Sequence, residues 1–213
     1  MKRRFEIFVD TESLSENSLN APVVDVSAMI VDVEKMVSDE PYTMRDLARV
    51  KYFKLNTTEQ IEKHGAIISE NTIKFWKSQP KDVRARVKPR DDDLSVKEFV
   101  KEFRKFLGTE PMIGRAWSRN TAFDFILLKR MYMIAGENID DDIEHYLVRD
   151  IRTALDVSMG FAEGTNLNFC PVTDTEFWDK VFQPHNSSWD VIADVLRYQA
   201  ILRNDRDLEQ IKR

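Results

Sequence analysis

Phe5-Glu6-Ile7-Phe8-Val9-Asp10-Thr11-Glu12, close to the amino end, governs how the rest of the chain is interpreted. Its aromatic and β-branched residues suit a pleated strand running into Asp10. Strand side chains alternate with period 2, so Asp10 and Glu12 project from the same face. Two carboxylates side by side repel each other unless a cation neutralises them. An Asp-x-Glu pair on its own reads as a solvated strand end, and with 37 acidic residues among 213 such pairs arise by chance. The segments that follow it give the pair its weight.

Asn120-Thr121-Ala122-Phe123-Asp124 has the form of a helix start. Asn120 or Thr121 can cap it, and Phe123, Phe125, Ile126, Leu127, Leu128 and Met131 follow at helical spacing. Asp124 then falls in the first turn, where the helix dipole favours an anion. His185-Asn186-Ser187-Ser188-Trp189-Asp190 opens a second amphipathic run through Val191, Ile192, Val195, Leu196 and Leu202, with Ser187 or Ser188 as the cap. His185 sits upstream in a loop opened by Pro184, free to approach the site while Asp190 stays fixed. The three segments supply four hard oxygen ligands suited to divalent cations and one imidazole that titrates near neutrality. His145 and Asp150 repeat the His-to-Asp spacing. They are the weaker pair, because Asp150 leads only into the short stretch Ile151-Arg152-Thr153.

Together the segments resemble the DEDDh family of 3′–5′ exonucleases, whose signature is Asp-x-Glu, then Asn-x-x-(Phe/Tyr)-Asp, then His-x-x-x-x-Asp, in this order. Within that family the chain is most similar to the exodeoxyribonuclease A proteins of tailed bacteriophages and, more distantly, to small bacterial exoribonucleases. Thr72-Ile73-Lys74-Phe75-Trp76-Lys77-Ser78-Gln79 and Arg149-Asp150-Ile151-Arg152-Thr153 add to the likeness. The resemblance implies a ribonuclease H-like α/β fold, a mixed sheet of an antiparallel meander plus parallel strands flanked by helices. It implies one exonuclease domain over 1–213, with a subgroup-specific insertion around 56–93. Asp10, Glu12, Asp124 and Asp190 would hold two divalent cations, Mg²⁺ or Mn²⁺, and His185 would be the general base. Thr11, Trp76, Gln79, Asn120 and Phe123 would contact the substrate. The implied reaction releases 5′-mononucleotides from single-stranded nucleic acid, DNA in preference to RNA. An inactive nucleic-acid-binding module and another phosphohydrolase of the same fold are the alternatives.

Composition is compatible with this. A 213-residue chain with 42% hydrophobic residues can form one sizeable domain. No apolar run approaches the ~20 residues needed to span a bilayer, and Met1-Lys2-Arg3-Arg4 does not begin a signal peptide. Single Cys170 excludes an internal disulfide and cysteine metal sites, so a reducing compartment, the cytoplasm (of the host if phage-encoded), is expected. A net charge of −5 argues against binding nucleic acid by bulk electrostatics, and leaves room for local basic groups. The stretch from Lys74 to Arg90 is the densest of these, with Phe75 and Trp76 interleaved. Oligomeric state is not legible.

Periodicity predicts strands over 4–9, 22–33, 48–55 and 112–117. Helices are expected over 56–64, 69–78, 95–107, 121–135, 151–159 and 186–203. The first three strands should form a meander joined by short turns. Phe99, Phe103 and Phe106 are spaced as core, and Asp91-Asp92-Asp93 as a solvated cap for their helix. His64, before Gly65, suits a helix end. Residues 160–184 should be a long irregular loop, and 204–213 a fraying terminus.

Overall fold

In the computed structural model, residues 5–110, 113–158 and 182–203 are described. The expected loop over 160–184, except for its last residues, and the expected terminus from 204 onward lie outside them.

Five strands, β1 (Phe5–Ser13), β2 (Val23–Asp32), β3 (Lys51–Lys54), β4 (Ile113–Ser118) and β5 (Val148–Asp150), form one sheet in the order β3-β2-β1-β4-β5. β1, β2 and β3 pair antiparallel, whereas β4 and β5 add in parallel on the other side of β1. This is the expected mixed sheet flanked by helices. The meander is not tightly turned. Between β2 and β3 the chain forms the short helix α1 (Val33–Met36) and a 3₁₀ turn at Met44–Arg49 capped by Thr43. β5 was not anticipated, since three residues are too few to show a period.

The alternation of β1 divides the core. Ile7 and Val9 join Val26, Phe53 and Ala116 beneath α5 (Val96–Leu107) and α6 (Thr121–Ala135). Phe8 joins Met29, Trp117, Val191, Ile192 and Val195 on the opposite face, beneath α8 (Ser187–Arg203). Phe99 and Phe103 pack edge-on to Phe53, with ring centres 5.5 and 5.8 Å away, and are core as expected. Their helix is capped by Ser95, which forms a reciprocal box with Glu98. The acidic run does not cap it: Asp93 is buried and accepts from the Arg90 N–H instead.

Residues 56–93 fold into α2 (Thr57–His64), α3 (Glu70–Ser78) and α4 (Lys81–Arg86). α2 ends at His64 because Gly65 takes a left-handed φ of 64°, open to glycine without steric cost. α7 (Ile151–Ser158) packs on α8.

Candidate active site

Because β1 alternates, Asp10 and Glu12 follow Phe8 onto the face covered by α8, and α8 brings Asp190 down on them in its first turn. Asp10, Glu12 and Asp190 each offer an oxygen within 4.8 Å of the others. The pairing with β2 shifts register immediately after Glu12, where Ser13 pairs with Val23, so the regular ladder is interrupted at the site. Asp124 comes from the other face. Thr11, of opposite parity, donates its hydroxyl to Asp124 Oδ1 at 2.6 Å and holds it at the edge of the group.

The electrostatics are those of crowded anions. Removal from water, then the charges of Asp190, Asp124 and Glu12, raise the carboxyl of Asp10 well above its usual range. Glu12 is raised by the same loss of water and by Asp25, Asp190 and Asp124. Burial pushes Asp190 up to about 7 and Asp124 up to about 6, although the Thr11 hydroxyl opposes the latter. Such a group is stable as a dianion or trianion only beside cations. Hard, clustered carboxylate oxygens are the donor set that Mg²⁺ or Mn²⁺ takes.

His185 lies two residues before α8, with a left-handed φ of 62°, the one positive φ at a non-glycine position among the described residues. Its ring stands edge-on to Phe75 at 4.8 Å and to Trp76 at 6.4 Å. Partial removal from water against these rings lowers its pKa, keeping the imidazole neutral at pH 7. Asn186 occupies the cap position of α8, its Oδ1 accepting from the Ser188 N–H at 3.2 Å; the serines expected there are used elsewhere.

The rival pair is taken apart by the fold. His145 is exposed, with Asp140 3.8 Å away. Both oxygens of Asp150 are used at helix starts, Oδ1 by the Thr153 N–H and Oδ2 by the Thr121 N–H.

Of the expected substrate contacts, Trp76, Gln79 and Thr11 have their side chains engaged within the fold. Trp76 is buried with Leu14, Val24 and Val83, and its Nε1–H donates to the Ser13 carbonyl at 2.9 Å. Its faces are therefore unavailable for base stacking, whereas its neighbour Phe75 is 38% exposed. Gln79 folds back onto the Phe75 carbonyl and the Ser78 hydroxyl at the end of α3. The Thr11 side chain is committed to Asp124. Phe123 is half-buried against the core of α5 and α6, and Asn120 is exposed at the start of α6 with no side-chain cap bond.

Two further polar groups stand beside the site, neither of them assigned a role from the sequence. Asp194, one turn beyond Asp190, is buried between Arg119 Nη2 at 2.7 Å and Arg197 Nη1 at 2.6 Å. Asp25 on β2, paired with Glu12, accepts from Ser187 at 2.6 Å and from the Tyr52 hydroxyl at 3.3 Å. The available signals were an Asp four residues after Asp190, and polar Asp25 and Ser27 alternating inside an apolar strand.

Comparison with known proteins bears on the family and the fold. The exodeoxyribonuclease of Enterobacteria phage T4 is 23% identical over 219 residues, covering 96% of this chain and 92% of its own. A zinc-bound E. coli exonuclease I–ssDNA complex superposes with a TM-score of 0.62 at 14% identity, over 98% of this chain and 43% of that one. An exonuclease I complex with a dT13 oligonucleotide gives 0.57 at 16% identity, over 98% and 42%. The chain thus spans less than half the length of those structures, which share its fold. The family described as the 3′-5′ exoribonuclease Rv2179c-like domain matches residues 5–180, so the chain belongs to that family and is a hydrolytic exonuclease acting on nucleic acid.

Proposed function

We propose that this protein is a metal-dependent 3′–5′ exonuclease of the DEDDh type that releases 5′-mononucleotides from single-stranded nucleic acid, with DNA preferred. The observation that carries the reading is the convergence of Asp10, Glu12 and Asp190 within 4.8 Å, on the sheet face covered by the helix that follows His185. Asp10, Glu12 and Asp190, with Asp124 steadied by Thr11, would hold two divalent cations. When bound, these cations supply Lewis acidity toward the scissile phosphate and charge stabilisation for the departing 3′ oxygen.

The chain's own residues supply the rest. Neutral His185 accepts a proton from the attacking water as its oxygen bonds to phosphorus. The bond to the 3′ oxygen of the penultimate nucleotide breaks, and the phosphate leaves on the terminal nucleotide as a 5′-mononucleotide. Exposed Phe75 offers a ring for the terminal base, where stacking contributes about 1–3 kcal/mol per base. Lys74 and Lys77 on the same helix are exposed beside it and suit backbone phosphates.

The phage relative's name favours DNA, while the family's description favours RNA as the second reading. End-labelled single-stranded DNA and RNA of one sequence, each with Mg²⁺ and with EDTA, test both. Stepwise shortening from the 3′ end, faster on DNA and abolished by EDTA, is expected. Faster RNA cleavage would establish the second reading, and binding without cleavage would show an inactive module.

A further inference from the structure

We propose that Asp25 is a positioning residue for His185, acting through Ser187 at the start of α8; this rests on the general-base role of His185 proposed above. Asp25 lies in β2 directly opposite Glu12, 1% exposed, where a carboxylate is costly and adds to the repulsion on the metal-binding group. It is not one of the three clustered carboxylates. What it does instead is hold a helix.

The hydroxyl of Ser187 donates to Asp25 Oδ1 at 2.6 Å, both groups being buried. Ser27, two residues along β2 on the same face, lies 2.8 Å from the hydroxyls of both Ser187 and Ser188. A hydroxyl has one proton to give. Since Ser187 gives its own to Asp25, Ser27 donates to Ser187, and Ser188 in turn donates to Ser27. The chain of donors runs one way, Ser188 to Ser27 to Ser187, and terminates on the carboxylate. It ties two successive residues of the first turn of α8 to the middle of the sheet across 160 or more positions of sequence.

His185 is two residues upstream in a left-handed conformation, with φ of 62°. For a residue with a Cβ such a backbone persists only where its surroundings determine it. Pinning Ser187 and Ser188 fixes the carboxyl side of that turn, while Asn186 bonds the Ser188 N–H and Gln183 Oε1. The imidazole is thereby held on its side of the site, where a misplacement of about 1 Å can lower a rate about 100-fold.

The test compares Ser187→Ala and Asp25→Asn in two backgrounds, wild type and His185→Ala, reading kcat and KM on a single-stranded oligonucleotide with Mg²⁺. In the wild-type background each should lower kcat at least about tenfold with KM little changed. In the His185→Ala background Ser187→Ala should cause no further loss, because its effect passes through the imidazole. A structural role alone would lower kcat by the same factor in both backgrounds and overturn the proposal. So would wild-type kcat in Ser187→Ala when His185→Ala is impaired. If His185→Ala itself retains full kcat, the general-base reading fails, and this proposal with it. Should Ser187→Ala not fold, Asp25→Asn, which keeps the side chain's shape but weakens the acceptor of the Ser187 hydroxyl, is judged by the same comparison in both backgrounds.

Discussion

Asp10, Glu12 and Asp190 occupy a small volume in which removal from water raises the proton affinity of all three, and the charge of Asp190 adds to it at Asp10 and Glu12. Their arrangement opposes folding and favours cation binding. Asp10→Ala, Glu12→Ala and Asp190→Ala should therefore each abolish turnover while the EDTA-treated protein melts at the same or a higher temperature. They should also lose the stabilisation that Mg²⁺ gives the wild type, which reaches about 2.7 kcal/mol at one hundred times the Kd. Thermal melts with and without Mg²⁺ check this, and full activity in any variant would remove that residue from the ligand group. Thr11→Val should leave the three-carboxylate cluster in place but release Asp124, lowering kcat with a smaller loss of metal-induced stabilisation.

At the level of elements, α3 presents two aromatic side chains with different roles. Trp76 faces inward and satisfies its N–H on the end of β1, whereas Phe75 faces outward against His185. Trp76→Ala removes a buried ring and should cost about 3–5 kcal/mol of stability. Once the loss of folded protein is allowed for, its cleavage of an oligonucleotide and of a small phosphodiester should change alike. Phe75→Ala should leave the melting temperature nearly unchanged and raise KM for the oligonucleotide more than for the small ester. The reverse pattern would restore Trp76 as the stacking residue. β5 has a comparable double use, for its last residue, Asp150, bonds backbone N–H groups in the first turns of both α6 and α7.

Across the whole molecule, the site makes stability depend on pH in an unusual direction. Asp190 at about 7 and Asp124 at about 6 lie above the unfolded value of about 4, so the folded state binds more protons between these limits. Their contribution is fully present below about pH 4 and is lost as pH rises through about 6 to 7. In EDTA the melting temperature should accordingly fall between pH 5 and pH 7.5, and Mg²⁺ should remove or reverse that fall. A rise with pH in EDTA would show that these carboxylates are not strained in the fold. Most enzymes with salt-bridged carboxylates show the opposite slope, which makes the measurement discriminating.

Much of this was determined by local sequence. The period of Phe5–Glu12 placed Asp10 and Glu12 on one face, and the apolar spacing after Asn120 and His185 placed Asp124 and Asp190 in first turns. These are properties of one strand and two helices, carried by neighbours along the chain. The tertiary structure alone decided which side chains those elements would meet. Trp76 is as aromatic in sequence as Phe75, but only packing against Leu14, Val24 and Val83 turns it inward. Asp150 has the same spacing from His145 as Asp190 from His185, but only the docking of α6 and α7 commits both its oxygens to helix starts. Asp25 and Ser187, 162 positions apart, have no local signal that joins them. Their bond exists because β2 and α8 share the face on which β1 presents its acids.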